Sequence, residues 1–428
     1  MTKELKNIKQ LLSIKNLSIP EFQRPYKWEL KHINQLVDDI LRFKDKSAYR
    51  LGSIVIWDDK EEKKKNIVDG QQRITTLILL ITALKKNNNN EILKEIDLPK
   101  IKFSNSISKQ NIKQNYQELE NRVKEFDEKS IYFLLEKCEI VYIELNDVDE
   151  AFQFFDSQNA RGKELAPHDL LKAFHLREMR NIDEQTKYKL VQEWEKLDDE
   201  NKLAPLFNNY LFKIRNWSRG KSARYFTTKH IDIFKGISLN HKNQYPYALI
   251  YQIADVFIDD YNNSSSRKID KNKLEYPFSL DLPILNGKSF FEMITHYHSK
   301  IEIIKQHDND IIKLLKDYEG SHRIGDKYTK LLFECALIFY IDKFGMNELD
   351  RVIEKLFAWA YKLRLELQAV RLSSIDNKAV NSHIFSTIKN ANTHYEVLNM
   401  NIENIKDINA SKIDKIIEKL KNIGYYND

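Results

Sequence analysis

Apolar positions change their period near residue 178. Upstream, short β-branched runs alternate with stretches that repeat every three or four residues. Leu51-Gly52-Ser53-Ile54-Val55-Ile56-Trp57 reads as a strand, closed by the charged turn Asp58-Asp59-Lys60-Glu61-Glu62. Lys65 to Val68 returns as its hairpin partner, and Glu139 to Leu145 is a further strand. Between them, the pair Thr75-Thr76 opens an apolar helix running through Leu84, and Asn87 to Asn90 forms a polar loop tip. Ala151, Phe152, Phe154 and Phe155 mark one helix face. Pro167 opens another helix that runs through His175, where its missing N–H costs nothing. Downstream, three- and four-residue spacing takes over. Trp194, Phe207, Tyr210, Leu211 and Ile214 recur in helical register, as do Leu331, Leu332, Cys335, Ala336 and Phe339, then Leu356, Trp359, Ala360 and Leu363. Asn262 to Lys273 reads as an exposed loop. The pattern predicts an α+β chain: a small mixed domain over 1–178, then a large all-helical region over 179–428.

Composition narrows the function classes. The 428 residues suffice for more than one core. Only 10 glycines and 8 prolines occur, which favours long helices over many tight turns. Cys138 and Cys335 are too few for a disulfide framework or a zinc cluster. Met1-Thr2-Lys3-Glu4-Leu5-Lys6 lacks the apolar core of a signal peptide, and no apolar run of about 20 residues occurs. A cytoplasmic location is the expectation, with no membrane partner. The net charge of +6, from 69 basic and 63 acidic residues, permits contact with DNA without requiring it.

The densest chemistry lies in Ile67-Val68-Asp69-Gly70-Gln71-Gln72-Arg73-Ile74-Thr75-Thr76-Leu77. A strand, a tight polar turn and a helix start make a common seat for phosphate, because the first helical N–H groups lack partners and sit at the positive end of the helix dipole. Arg73 offers a two-pronged donor, Thr75 and Thr76 offer hydroxyls, and Asp69 offers a carboxylate for a metal ion or a water. Gly70 lets the backbone approach a ligand or take a positive φ. This is not a Walker loop, since no Gly-Lys-Ser/Thr follows. A second cluster, Ile19-Pro20-Glu21-Phe22-Gln23-Arg24-Pro25-Tyr26-Lys27-Trp28, is stiffened by two prolines. Its rings either stack on a base while Arg24 reaches a phosphate, or anchor the core ahead of a helix that begins near Leu30. A third cluster, Phe155 to Leu165, holds Asn159, Arg161 and Gly162 in a turn before the helix carrying Asp169 and Lys172.

The three clusters together carry a resemblance. Ile-Pro-x-Phe-Gln-Arg-x-Tyr-x-Trp (Ile19 to Trp28), Asp-Gly-Gln-Gln-Arg-x-Thr-Thr-Leu (Asp69 to Leu77) and Phe-x-x-x-Asn-x-Arg-Gly-x-x-Leu (Phe155 to Leu165) occur in the order found in the GmrSD-type restriction endonuclease N-terminal domain. The chain resembles that family, whose fold is similar to ParB and sulfiredoxin. Looser similarity extends to Asn286-Gly287-Lys288-Ser289-Phe290-Phe291 and Gly325-Asp326-Lys327-Tyr328. The resemblance implies a module that binds and hydrolyses nucleoside triphosphates (NTPs) in bacterial defence against phage or modified DNA. It implies that Asp69, Gln71, Gln72 and Arg73 form the catalytic or phosphate site. Arg24, Tyr26, Gly70, Thr75, Thr76, Asn159, Arg161 and Lys172 would line the same nucleotide pocket, with Mg2+ as a further cofactor.

Many relatives of that family continue into an HNH nuclease. Here the late candidates are His383, Asn390, Asn392 and His394, and residues 378–400 show neither a convincing strand pair nor a glycine turn. His296 and His298 flank Tyr297 without a carboxylate at useful spacing. The expectation is therefore a sensor or regulatory subunit of a restriction or anti-phage system that does not cut DNA alone. It would act with a separately encoded nuclease or methyltransferase. The rival expectation is a nucleotide-gated DNA-binding or protein-interaction module with little turnover.

Overall fold

A computed structural model describes residues 2–20, 23, 25–87, 90–101, 103, 106–147, 150–151, 166–179, 182–239, 245–264, 273–402, 405 and 408–426. The chain packs as two compact units. One comprises Met1–Leu165 with Lys172–Leu176, the other Ala166–Leu171 with Arg177–Asp428.

The first unit is built on a mixed five-stranded sheet. Its strands are β1 (Thr2–Asn7), β2 (Leu17–Ser18), β3 (Tyr49–Asp59), β4 (Lys64–Asp69) and β5 (Cys138–Leu145), in the spatial order β1-β5-β3-β4-β2. β3 and β4 form the antiparallel hairpin read from the sequence, while β3 runs parallel to β5 and β2 runs parallel to β4. β1 is antiparallel to β5, from Thr2 opposite Glu144 to Asn7 opposite Glu139. Its polar sequence carries no strand signature, because it lies at an edge with most of its side chains in water. Helices α1 (Ile8–Leu12), α2 (Leu30–Arg42), α3 (Gln71–Asn87), α4 (Glu91–Lys94), α5 (Ser106–Arg122) and α6 (Glu128–Tyr132) belong to the same unit. α3 is apolar around most of its circumference and is correspondingly central. Ile74, Leu77, Leu80, Ile81 and Leu84 are fully buried in one core with Ile54, Ile56 and Ile67 of the sheet. This burial fixes where α3 starts, and so where its first turn points.

Helix α7 (Pro167–Arg177) contributes residues to both units. The second unit is largely helical, as its periodicity indicates. Its central pair, Ile324–Phe344 and Leu349–Glu366, buries Leu332, Cys335, Ala336 and Phe339 on one helix and Leu356, Trp359 and Ala360 on the other. Asp326, buried there, accepts from Arg323 and from the Tyr318 hydroxyl, and lies 3.0 Å from Nε of Arg364. Asp376 accepts from the Trp217 indole at 2.8 Å and from the backbone of Ala223 at 2.7 Å. None of the described helices is long and apolar enough to cross a membrane.

Candidate phosphate site at the start of helix α3

β4 ends at Asp69 and α3 begins at Gln71, so a single residue turns the chain. Gly70 takes φ +89°, and a Cβ there would lie 2.6 Å from Cγ1 of Ile54, so both the backbone angle and the space demand glycine. The first helical bond runs from Ile74 N to Gly70 O at 3.0 Å. Gln71, Gln72 and Arg73 are therefore the first turn, and their N–H groups point off the positive end of the helix. This corrects the reading in which Thr75 and Thr76 open the helix. Both threonines belong to the second turn and are buried. Thr76 Oγ1 bonds the Gln72 carbonyl at 2.9 Å and the Tyr26 hydroxyl at 2.8 Å, which makes it part of the wall.

The two glutamines, indistinguishable in sequence, hold opposite positions. The Gln72 amide is used in structure through both its oxygen and its nitrogen. Its Oε1 accepts from Lys27 N at 2.8 Å and Trp28 N at 3.1 Å, and its Nε2 donates to Pro25 O at 3.1 Å. Gln71 is 5% exposed, and its Oε1 has no hydrogen-bond partner among the described residues. Thr75, one turn further on the same face, is 3% exposed with an equally unpartnered Oγ1. Buried oxygens of this kind cost about 1–3 kcal/mol each when left unmatched, and these two lie one helical turn apart without a donor among the described residues.

Arg73 completes the first turn. Its Nη1 donates to Ser53 O at 3.0 Å, and its guanidinium lies across Gly52, where a Cβ would come within 3.1 Å of both terminal nitrogens. Gly52 adopts φ +104° where the pairing of β3 with β5 slips register between Arg50 and Ser53. Burial pushes the guanidinium pKa down, opposed by the nearby Asp69 carboxylate. A guanidinium held this way is fixed in place and has N–H groups beyond the one given to Ser53. Gly52 and Ser53 were not singled out in the sequence. The available signal was a glycine inside a strand pattern, which marks a bulge or a close approach.

The proline-flanked segment is stitched to the same junction. Gln23 Nε2 donates to Ile67 O at 3.1 Å and Val68 O at 2.6 Å, satisfying the β4 edge beyond the short strand β2. Tyr26 is fully buried, with its hydroxyl between Thr76 and Nδ2 of Asn115 at 2.9 Å. Of the two readings of its ring, the structure shows the core anchor. Trp28 stacks on His32 with ring centres 5.9 Å apart. Phe22 and Arg24 lie outside the described residues, as does the whole third cluster with Asn159, Arg161 and Gly162. Lys172 is buried in α7. In the helical unit, residues 378–400 run through the helices Leu372–Asn381, Ile384–Asn390 and His394–Leu398 and the short connections between them, with no strand, and His383 is exposed just before the second helix. Among the described residues, His168, Asp169 and Asp198 bring possible metal-ligand atoms within 4.8 Å of one another, with the His168 ring 3.0 Å from Asp198.

Residues 5–176 match the GmrSD restriction endonuclease, N-terminal domain, so the first unit carries a restriction-system domain. Residues 186–415 match a family of unknown function, DUF7834. That match spans more than half of the chain, and the chain belongs to the DUF7834 family. No curated protein matches it.

Proposed function

We propose that the β4–α3 junction binds a nucleoside triphosphate and hydrolyses it, and that the chain is the sensing or regulatory subunit of a restriction or anti-phage system whose effector is a separate chain. The observation that carries this reading is the pair of buried, unpartnered oxygens of Gln71 and Thr75 at a helix start, beside Arg73 and Asp69. The free N–H groups of the first turn and the Arg73 guanidinium take the phosphate oxygens, supplying fixed donors where negative charge builds up. Gln71 Oε1 accepts from the attacking water and aims it at the terminal phosphorus. A new P–O bond forms to that water as the bond to the bridging oxygen breaks; the nucleoside diphosphate leaves, and the water's proton passes to an oxygen of the released phosphate. The half-buried Asp69 carboxylate suits Mg2+, which takes hard oxygen donors and would offset phosphate charge when bound. Gln72 is assigned no chemical step, because its amide is spent on the Pro25–Trp28 backbone.

The test is phosphate release by the purified chain with each of the common NTPs and Mg2+, with and without DNA. Gln71→Ala should lose release while keeping its melting temperature, and Asp69→Asn should weaken the dependence on Mg2+. Saturable nucleotide binding without release by the wild type would favour the gated module. Normal release by Gln71→Ala would place the chemistry elsewhere.

A further inference from the structure

The helix Leu249–Asn263 in the second unit is built the opposite way round from the rest. None of its residues is buried. Leu249, Ile250, Ile253, Val256 and Phe257 fall on one face at helical spacing, and each is more than half exposed. The residues closer to the unit are mixed in polarity, and the helix is tied down by polar contacts. Gln252 donates to Leu239 O at 3.2 Å, Asp259 pairs with Lys288 at 3.3 Å, and Asn262 bonds Leu274 through both its amide groups. Tyr245 and Tyr247, stacked with ring centres 5.9 Å apart, extend the exposed face past the N-terminal end, 70% and 52% exposed. Together these side chains offer roughly 800–900 Å2 of accessible surface, about what one partner contributes to a standard interface.

We propose that this face is the dimer interface of the chain, with two copies of the helix packed antiparallel about a two-fold axis at Ile253. The sequence of the helix selects this occupant. It contains three aspartates and neither lysine nor arginine, so an anionic lipid surface or nucleic acid would be repelled. The face also carries its own complement. Asp260, exposed and seven residues beyond Ile253, continues the apolar stripe at the C-terminal end. Seven residues before Ile253 is Pro246, between the Tyr245 and Tyr247 rings and next to the positive N-terminal end of the helix. Antiparallel pairing therefore sets each Asp260 against the tyrosine hydroxyls and helix N-terminus of the other copy, twice, while the apolar stripes meet in between. This proposal stands independently of the nucleotide reading.

Sedimentation of the full chain over a dilution series should show a reversible dimer. Ile253→Asp puts two carboxylates at the axis and should raise the dissociation constant about a hundredfold or more. Its melting curve as a monomer should not move, since the position is exposed. Asp260→Lys should weaken the dimer about tenfold, and adding Tyr247→Glu should restore it, a rescue that only the antiparallel arrangement provides. Ile253→Cys should give a disulfide-linked dimer on oxidation, because the native Cys138 and Cys335 are both buried. A wild type that stays monomeric at every concentration overturns the proposal, as does a dimer indifferent to Ile253→Asp. Slow hydrogen exchange across 249–257 in a monomer would show the face covered by another occupant, which also overturns it.

Discussion

The adjacent glutamines of the first helical turn should respond to the same substitution in opposite ways. Gln72→Ala removes three hydrogen bonds that fasten Pro25, Lys27 and Trp28 to α3, leaving two N–H groups and one carbonyl without their partners. Each such bond contributes about 0.5–1.5 kcal/mol net. Lys27 is exposed, so its N–H recovers water, and a total loss of about 2–3 kcal/mol is expected. For a unit of this size that corresponds to a fall in melting temperature of roughly 5–10 °C. Gln71→Ala removes a buried oxygen that bonds nothing in the described structure, so its cost should stay within about 1 kcal/mol. The gain in helix propensity from alanine is shared by both variants and cancels in the comparison. Calorimetry or circular dichroism measures the stabilities, and limited proteolysis near residues 25–28 reports whether the segment has come loose. The expected pattern is a stable Gln71→Ala that releases no phosphate, beside a destabilised Gln72→Ala that retains release at temperatures where it is folded. A destabilised Gln71→Ala with an undisturbed Gln72→Ala would refute the division of roles.

Gly52→Ala should cost about 1–3 kcal/mol through the left-handed backbone angle, and should lower phosphate release because the new methyl displaces the Arg73 guanidinium from its seat; melting and turnover measured on one preparation check both effects. Tyr26→Phe, which strips a fully buried hydroxyl from Thr76 and Asn115, should destabilise the first unit by about 1–2 kcal/mol with little effect on turnover per folded molecule, measured by chemical denaturation. His296 and His298 are both held below their ordinary pKa of 6.5, chiefly by burial. The folded state therefore binds fewer protons than the unfolded one. The stability this represents is present above pH 6.5 and is lost as pH falls through the folded pKa values. Replacing both with Gln should flatten the acid side of the melting-temperature profile, and an unchanged slope would refute the assignment.

Much of the fold was legible because its signals are local. The β3–β4 hairpin announces itself through β-branched runs and a charged turn, and α3 through an apolar run after Asp-Gly. The helical second unit follows from spacing alone. β1 and β2 were not legible. One is a polar edge strand and the other is two residues long, and each becomes a strand only because a neighbour offers unpaired backbone groups. The start of α3 was misplaced for a related reason. Threonines are common at helix starts, but here Gly70 ends the strand, and burial of Ile74 and Leu77 draws the first turn back to Gln71.

The sequence by itself determined the order of elements, the change from a mixed to a helical region, and the polar strand-to-helix turn that concentrates the chemistry. It also determined the class of domain, since three motifs in fixed order resemble a restriction-system domain and residues 5–176 match it. Only the tertiary structure decided which polar residues at that turn are free to act. Gln71 and Gln72 share a side chain and a helix turn, yet one meets the Pro25–Trp28 backbone and the Oε1 of the other meets no partner among the described residues. Gly52, some twenty residues before Arg73, becomes its seat through the slip between β3 and β5. The physical reason is that a hydrogen-bonding group takes its role from whichever partners long-range packing brings within about 3 Å, and local sequence holds no record of those partners.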